Sequence, residues 1–147
     1  MNVLNLDNMI SPHEVIGISK EDYEVNCIKD ETINEAFIRM IEASGMSMAE
    51  FSRRSGLSEL SIVRYRKHIT EPSLESLVVH CITLKTNIFE SLYLISKAGY
   101  SLLCSDDKKI YLLLIFMSRY CGVDVEKANE ILKGMGMKPL TNKQKEG

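Results

Sequence analysis

The middle of the chain carries a cluster of cationic side chains whose chemistry suits phosphate groups and base edges. Residues 53–68 have a net charge of +4, from one acid (Glu59) and five cations: Arg53, Arg54, Arg64, Arg66 and Lys67. A guanidinium donates in a planar fork that matches phosphate oxygens and the O6 and N7 acceptors of guanine. The whole chain has a net charge of −2, so this is a local basic patch. Arginines on a solvated helix face are also common, and that structural reading stays open.

Other kinds of chemistry find little support in the sequence. There is no G-x-S-x-G, no H-E-x-x-H and no glycine-rich phosphate loop. The four cysteines are far apart and form no C-x-x-C pair: Cys27, Cys81, Cys104 and Cys121. We therefore expect reduced thiols, no metal site, no cofactor and no enzymatic activity.

Composition indicates a helical, soluble chain. Its 147 residues are 45% hydrophobic and 26% charged, with 3 Pro and no Trp, which is ordinary for a globular protein. The N-terminus lacks a basic start followed by an apolar run, so we expect no secretory signal. The longest apolar run, residues 110–117, is too short to span a bilayer, and we expect a cytoplasmic protein with no membrane partner.

Two short helices should position the cationic cluster. Ser47 has the N-cap type and Glu50 follows at the capping-box spacing, which predicts a helix over residues 48–55. Gly56 can adopt positive φ and turn the chain. Ser58 then caps a second helix over residues 59–68. Two further predicted features support close packing of the pair: Ser52 is small at the helix crossing, and Ile62 points into the core.

Further helices are predicted on both sides of this pair. Thr32–Glu35 and Asn87–Glu90 have capping-box spacing, and glycines follow at Gly45 and Gly99. Ile33, Phe37 and Ile41 form a single apolar stripe on the first helix. The fourth helix should face inward with Leu74, Leu77, Val78, Cys81 and Ile82, and the fifth carries Ile88, Leu92 and Ile95.

The last third of the chain predicts two more helices. One spans residues 108–120 and is apolar on every side over 110–117, which indicates either a dimer surface or packing within the chain. The other follows Asp124 and ends near residue 133, before Gly134 and Gly136. We expect the polar tail, Thr141–Gly147, to be frayed.

The two short helices and their turn resemble the helix-turn-helix of the lambda-repressor/Cro-like (XRE) family of bacterial and phage regulators. The resemblance covers roughly residues 32–99 and includes Glu71–Leu77, which matches the proline and capped helix that follow the family's recognition helix. It implies an all-α protein: a five-helix DNA-binding domain over 32–99 with a two-helix C-terminal extension over 100–147. Residues 1–31 hold seven acids and two lysines, a net charge of −5, and form an acidic arm that we expect to be partly irregular.

The resemblance also implies which residues contact double-stranded DNA. Carried over by position, and joined by the caps and cations around them, they are Ser47, Met48, Arg53, Arg54, Ser58, Glu59, Leu60, Ser61, Arg64, Arg66, Lys67 and Thr70. Glutamine is common in the family at the positions of Met48 and Glu59. Met48 offers only apolar contact, for example with a thymine methyl group. Glu59 could accept from cytosine N4 or simply favour the helix N-terminus, an effect of about 0.3–1 kcal/mol.

Arg64 is the strongest candidate for reading a base, since one bidentate contact to guanine gives about 1–3 kcal/mol of discrimination. Pairing within the protein is its alternative. Ser61 could contact DNA or be a small surface residue. Arg53, Arg54, Arg66 and Lys67 would hold the phosphate backbone, whereas Tyr65 is expected in the core or at its flank rather than stacked on a base.

The function expected from these residues is sequence-specific DNA binding by a transcriptional regulator, working as a homodimer on two half-sites. A different class stays open: a protein-binding module, such as an antitoxin or regulatory adaptor, that keeps the fold without reading DNA. The acidic arm could also fold back on the basic patch and compete with DNA.

Overall fold

The computed structural model describes residues 30–103 and 105–143, which form seven α-helices and no strand. In chain order the helices are α1 Ile33–Ala43, α2 Met48–Ser55, α3 Glu59–Arg66, α4 Leu74–Leu84, α5 Ile88–Lys97, α6 Asp106–Cys121 and α7 Val125–Gly134. The described part is therefore all-α, as predicted. Nearly all of the acidic arm, and the end of the tail over 144–147, lie outside the described residues.

Helix α4 is the centre of the packing. It contacts α1, α2, α5, α6 and α7, and Leu77, Val78 and Val79 on consecutive positions are fully buried. A helix that is apolar all round belongs in the interior. One cluster of buried apolar side chains runs from Ile33 to Leu140, so α6 and α7 share a core with the first five helices.

Side-chain caps define where the described helices begin. Each first turn has an N-cap oxygen that accepts from the backbone three residues on, at Thr32, Ser47, Ser58, Ser73, Asn87, Ser105 and Asp124. The full reciprocal box forms at Asn87 and Glu90. The prediction of reciprocal boxes at Thr32 and Ser47 was wrong, because the Glu35 carboxylate accepts from the Thr32 hydroxyl and Glu50 pairs with Arg54.

Two helices have limits that differ from the prediction. Helix α3 ends at Arg66, two residues early, because His68 has a φ of +57°, which a right-handed helix does not accommodate. Helix α6 begins at Asp106, two residues before the predicted start, since Ser105 caps it. The acids Asp106 and Asp107 then lie in its first turn, where they favour the positive end of the helix dipole.

Helix α5 buries only part of its apolar surface. Ile95 is buried, but Ile88 and Leu92 are 38% and 40% exposed, while Ser91 and Leu94 are buried instead. The three apolar residues noted in the sequence are therefore divided, because α5 carries apolar residues on two sides. Packing against α1 and α4 selects one of them.

Helix α6 is also only partly buried within this chain. Leu114 and Ile115 lie in the core beside α4, but Leu113 and Phe116 are 50% and 54% exposed. The apolar run therefore places one side inside and leaves another at the surface. No helix of the described part is both long and apolar enough to cross a bilayer.

The first residues of the tail are held in place, contrary to the expectation of fraying. The Asn129 side-chain amide donates to the carbonyl oxygens of Thr141 at 3.2 Å and Lys143 at 2.9 Å, and it accepts from the Leu140 N–H at 2.8 Å. The Thr141 hydroxyl donates to the Ser55 carbonyl oxygen at 2.9 Å. Side-chain and backbone bonds of this kind tie the tail to α7 and to the end of α2.

Candidate nucleic-acid interface

The start of α2 is held by its cap. The Ser47 hydroxyl accepts from the Glu50 N–H at 3.1 Å, so its oxygen already serves the helix. Met48, the first helical residue, is half-buried and packs against the hydrophobic core. Of these two predicted contact residues, Ser47 is exposed and Met48 offers only the uncovered part of its side chain.

The turn between α2 and α3 is fixed by short polar contacts. Gly56 has a φ of +83°, as predicted for a left-handed C-cap. The Ser52 hydroxyl donates to the Leu57 carbonyl oxygen at 2.6 Å, and the buried Ser55 hydroxyl accepts from the Leu57 N–H at 3.1 Å. Ser52 therefore matters for its hydroxyl as well as its size. These bonds set the angle between the two helices.

Gly56 is required by its surroundings as well as by its backbone conformation. A Cβ built at this position would overlap the side chain of Thr141 and come within 2.8 Å of the Lys143 Cβ. The tail thus passes directly over the turn between α2 and α3. No signal in the local sequence of the turn indicated this contact, since the two segments are 85 residues apart.

Two side chains anchor α3 to the core. Ile62 is 2% exposed and Tyr65 is 7% exposed. The Tyr65 ring meets Phe37 edge-on with centroids 5.2 Å apart, and its hydroxyl donates to the Ser76 Oγ at 3.1 Å. The core position predicted for Tyr65 and the inward side chain predicted for Ile62 are confirmed. The opposite side of α3 is left to solvent.

That exposed side of α3 combines cations with apolar residues. Leu60, Arg64 and Lys67 follow the i, i+4, i+7 spacing that aligns side chains along one side of a helix, and all are exposed. Leu60 and Val63 are 59% and 43% exposed. We call this surface the α3 face. It consists of Glu59, Leu60, Ser61, Val63, Arg64 and Lys67, all exposed except the half-buried Ser61.

The hydroxyl groups at the start of α3 are engaged with each other. Ser58 and Ser61 hydroxyl oxygens lie 2.9 Å apart, and the Ser58 oxygen also accepts from the Ser61 N–H at 3.1 Å. Both side chains belong to the cap of α3. The first turn therefore offers a base or a phosphate two hydroxyls whose positions are already set.

Arg66 is turned away from the α3 face. Its guanidinium lies 3.4 Å from the Glu42 carboxylate of α1, and both side chains are more than half exposed. A pair so open to water contributes about 0–1 kcal/mol. The pair therefore does little for stability, but it places Arg66 on the α1 side of the helix.

Arg53 and Arg54 lie in the last turn of α2. Arg54 pairs with Glu50 at 2.8 Å, and Arg53 is 3.9 Å from the same carboxylate. Both border a polar cleft of about 550 Å³ whose other lining residues come from α4, α7 and the tail, among them Lys85, Asp124, Glu126 and Lys143. Arg64 and Lys67 do not line this cleft.

A buried amide holds the loop after α3. Asn34 is 3% exposed, and its Nδ2 donates to the carbonyl oxygens of Tyr65 at 2.9 Å and Thr70 at 2.7 Å. The Thr70 side chain is exposed while its backbone is fixed. Sequence reasoning missed Asn34, although its spacing from Phe37 and Ile41 places it on the apolar stripe of α1. It also missed Ile69, which is 65% exposed in this loop.

Two titratable side chains of α4 are buried and neutral. His80 is fully buried, its Nε2 lies 2.9 Å from the Phe37 carbonyl oxygen, and burial lowers its pKa to about 4. Burial raises the pKa of the Cys81 thiol to about 11. A neutral imidazole and a protonated thiol in the core are structural groups. In the part of the chain that is described, no three His, Cys, Asp or Glu residues gather to hold a metal ion.

Comparison with protein-family models, with curated proteins and with solved structures gave no match. The geometry of the α3 face is therefore the basis for a functional conclusion.

Proposed function

We propose that the chain is a sequence-specific double-stranded DNA-binding protein, a transcriptional regulator of the XRE type whose α3 enters the major groove. The observation that supports this most is the asymmetry of α3. Ile62 and Tyr65 fix the helix to the core, while Arg64 and Lys67 are exposed on its outer side. A capped helix held from one side, with cations on the other, fits the groove of a duplex.

Several exposed residues have a defined role in this proposal. Arg64 reads guanine O6 and N7, and Leu60 contacts a thymine methyl group. Lys67 and the residues near Thr70 hold the phosphate backbone, as do the N–H groups at the starts of α2 and α3. Arg53 and Arg54 lie at the far end of α2, so their contribution is to the phosphates beside the site.

One helix reads few base pairs. We therefore propose a symmetric homodimer on two half-sites one helical turn apart, about 34 Å. Bound in this way, the dimer would block polymerase or recruit it. The proposal places the protein in the cytoplasm and includes no enzymatic step and no cofactor.

The test begins with selection of bound sequences from random duplex DNA, followed by titration at several salt concentrations. We expect log K to fall linearly with log salt, because bound cations release counterions. Arg64→Ala should relax the preference at one position, at a cost of about 1–3 kcal/mol for the best sequence. Lys67→Ala should weaken all sequences alike and reduce the salt slope by about 1.

Lys133→Ala is the matched control for charge. Lys133 is an exposed cation at the end of α7, and its loss should leave both affinity and preference unchanged. A protein that ignores duplex DNA even at low ionic strength would rule out the proposal.

A second function is favoured by one observation. Leu60, Val63 and Ile69 are all more than 40% exposed on or next to the α3 face, and a protein partner could bury them. In that case the chain would be an adaptor or antitoxin-like module. Val63→Glu should then abolish co-purification of a partner, and Arg64→Ala should have little effect on it.

A further inference from the structure

A second exposed surface lies between α5 and α6. It is an apolar groove of about 310 Å³, and we call it the α5/α6 groove; its lining includes Ile88, Leu112, Leu113 and Phe116, with Lys109 and Arg119 at the rim. Leu113 and Phe116 are half exposed. Contiguous apolar surface with a polar rim marks a place where another segment or protein binds.

Helix α5, which contributes Ile88 to the groove, also holds the start of the described chain. The Tyr93 hydroxyl donates to the Glu31 carboxylate at 2.9 Å. The α5/α6 groove and the anchor of residue 31 thus lie along the same helix.

Glu31 is firmly held at this anchor. Arg39 of α1 donates to both carboxylate oxygens, with Nε to Oε2 at 2.9 Å and Nη2 to Oε1 at 2.7 Å. Burial acts to raise the pKa of Glu31, but the hydrogen bonds from Arg39 and Tyr93 outweigh it and the pKa is lowered. Residue 31 is therefore fixed against α5, two residues after the end of the segment 1–29.

We propose that residues 1–29 of the same chain dock into the α5/α6 groove. A segment of 29 residues that starts from α5 has ample reach, since an extended chain spans about 3.3 Å per residue. Its sequence supplies aliphatic side chains to fill an apolar groove, among them Val3, Leu4, Leu6, Ile10, Val15, Ile16 and Ile18. Apolar side chains gain about 25 cal/mol for each Å² removed from water.

Charge complementarity supports the same occupant. Residues 1–29 hold five acids and two lysines, a net charge of −3. The rim of the groove carries Lys109 and Arg119, of which Lys109 makes only an exposed pair with Asp106 at 3.4 Å. An acidic segment with an apolar stretch matches an apolar groove with cations at its edge.

The absence of tryptophan from the chain provides a direct test. Leu6→Trp, Ile10→Trp and Ile16→Trp, made separately in the full-length protein, each introduce a single fluorophore into the segment. We expect at least one to show blue-shifted emission and weak quenching by acrylamide. Adding Phe116→Glu or Leu113→Glu should return that emission to the red.

Leu103→Glu is the matched control, because Leu103 is 66% exposed in the turn before α6 and does not line the groove. It should leave the emission unchanged, and circular dichroism should show the same helix content in all variants. If all three tryptophan variants emit at the wavelength of a water-exposed tryptophan, the proposal is overturned.

Two other results would also overturn it. A blue shift lost on dilution, together with a halved mass in sedimentation, would assign the groove to a second copy of the chain. A tryptophan that responds to Arg64→Ala and Lys67→Ala, but not to Phe116→Glu, would place the segment on the α3 face. No step uses DNA, so the result is independent of the proposed function.

Discussion

The α3 face and the α5/α6 groove expose apolar side chains to a similar degree but differ in where their cations lie. Leu60 on the α3 face is 59% exposed and Phe116 in the groove is 54% exposed. On α3, Arg64 and Lys67 lie along the same side of the helix as Leu60 and Val63. In the groove the cations stand only at the rim. Exposed apolar area alone therefore does not identify a partner, whereas the placement of charge separates a polyanion from an apolar peptide.

The two surfaces also rest on different supports. Helix α3 is short and is held by Ile62 and Tyr65, whereas α6 has twice its length and packs Leu114 and Ile115 against α4. Both supports belong to a single cluster of buried apolar residues. The two surfaces can be compared directly only if the core beneath them unfolds as one cooperative unit.

The largest expected loss of stability comes from shortening one buried side chain beneath each surface. Ile62→Ala and Leu114→Ala should each lower the free energy of unfolding by about 2–5 kcal/mol, because each leaves a cavity at a fully packed position. Urea denaturation followed by circular dichroism measures this. Since the core is shared, each variant should still unfold in one transition.

The exposed neighbours supply the control for that experiment. Leu60→Ala and Leu113→Ala remove the same kind of side chain from the two surfaces and should cost less than about 0.5 kcal/mol. Two separate transitions in the Leu114→Ala variant would show that α6 and α7 form an independent unit, and the shared core would then be wrong.

Acid should destabilise the protein through His80, a buried residue of α4 that packs against α1 and α2. His80 lies between Phe37 and Phe51, with ring centroids 4.3 Å and 5.7 Å away, and its pKa is lowered from an ordinary 6.5 to about 4. Between those two values the unfolded chain binds the proton and the folded protein does not, so stability falls as the pH decreases. From pH 7 to pH 4.5 the loss should be about 2–3 kcal/mol.

His80→Leu is the variant that isolates this contribution. It cannot titrate, so the difference between its stabilities at pH 7 and pH 4.5 should shrink, even though the loss of the hydrogen bond to Phe37 lowers its stability at pH 7. An unchanged pH dependence would assign the acid sensitivity to carboxylates such as Glu31, whose lowered pKa also makes stability fall in acid.

Local patterns predicted most of the helices, because caps and stripes act within a few residues. Ser47, Ser58 and Asn87 indicate where helices start, and Gly56 indicates a turn. The side of α5 that is buried was not predictable in this way, because Ile88 and Leu92 compete with Leu94 and Ile95 and the choice depends on neighbouring helices.

The candidate site was predictable to the same extent. The exposed position of Arg64 follows from the anchors Ile62 and Tyr65 at helical spacing. By contrast, Asn34 and Asn129 hold segments that are far away or irregular, and no periodicity marks the partner of a buried amide. Their bonds across 36 and 14 residues are facts of tertiary packing.

The smallest expected change in stability comes from replacing Glu59, the one acid on the α3 face. It is also the sharpest test of how the α3 face differs from the α5/α6 groove. Glu59 lies in the first turn of α3, where its charge favours the helix by about 0.3–1 kcal/mol. Glu59→Gln should cost no more than that in urea denaturation. It should also raise affinity for duplex DNA, because the carboxylate no longer repels phosphates, and the amide could grip adenine N6 and N7.

Glu75→Gln, in the first turn of α4, is the matched control for the helix dipole. It should show a similar loss of stability with no change in DNA affinity. If Glu59→Gln instead weakened DNA binding and lowered the preference for cytosine at one position, the carboxylate would be a base-reading group that accepts from cytosine N4. The α3 face would then use an acid for specificity and its two cations for affinity, a division of roles for which the α5/α6 groove has no counterpart.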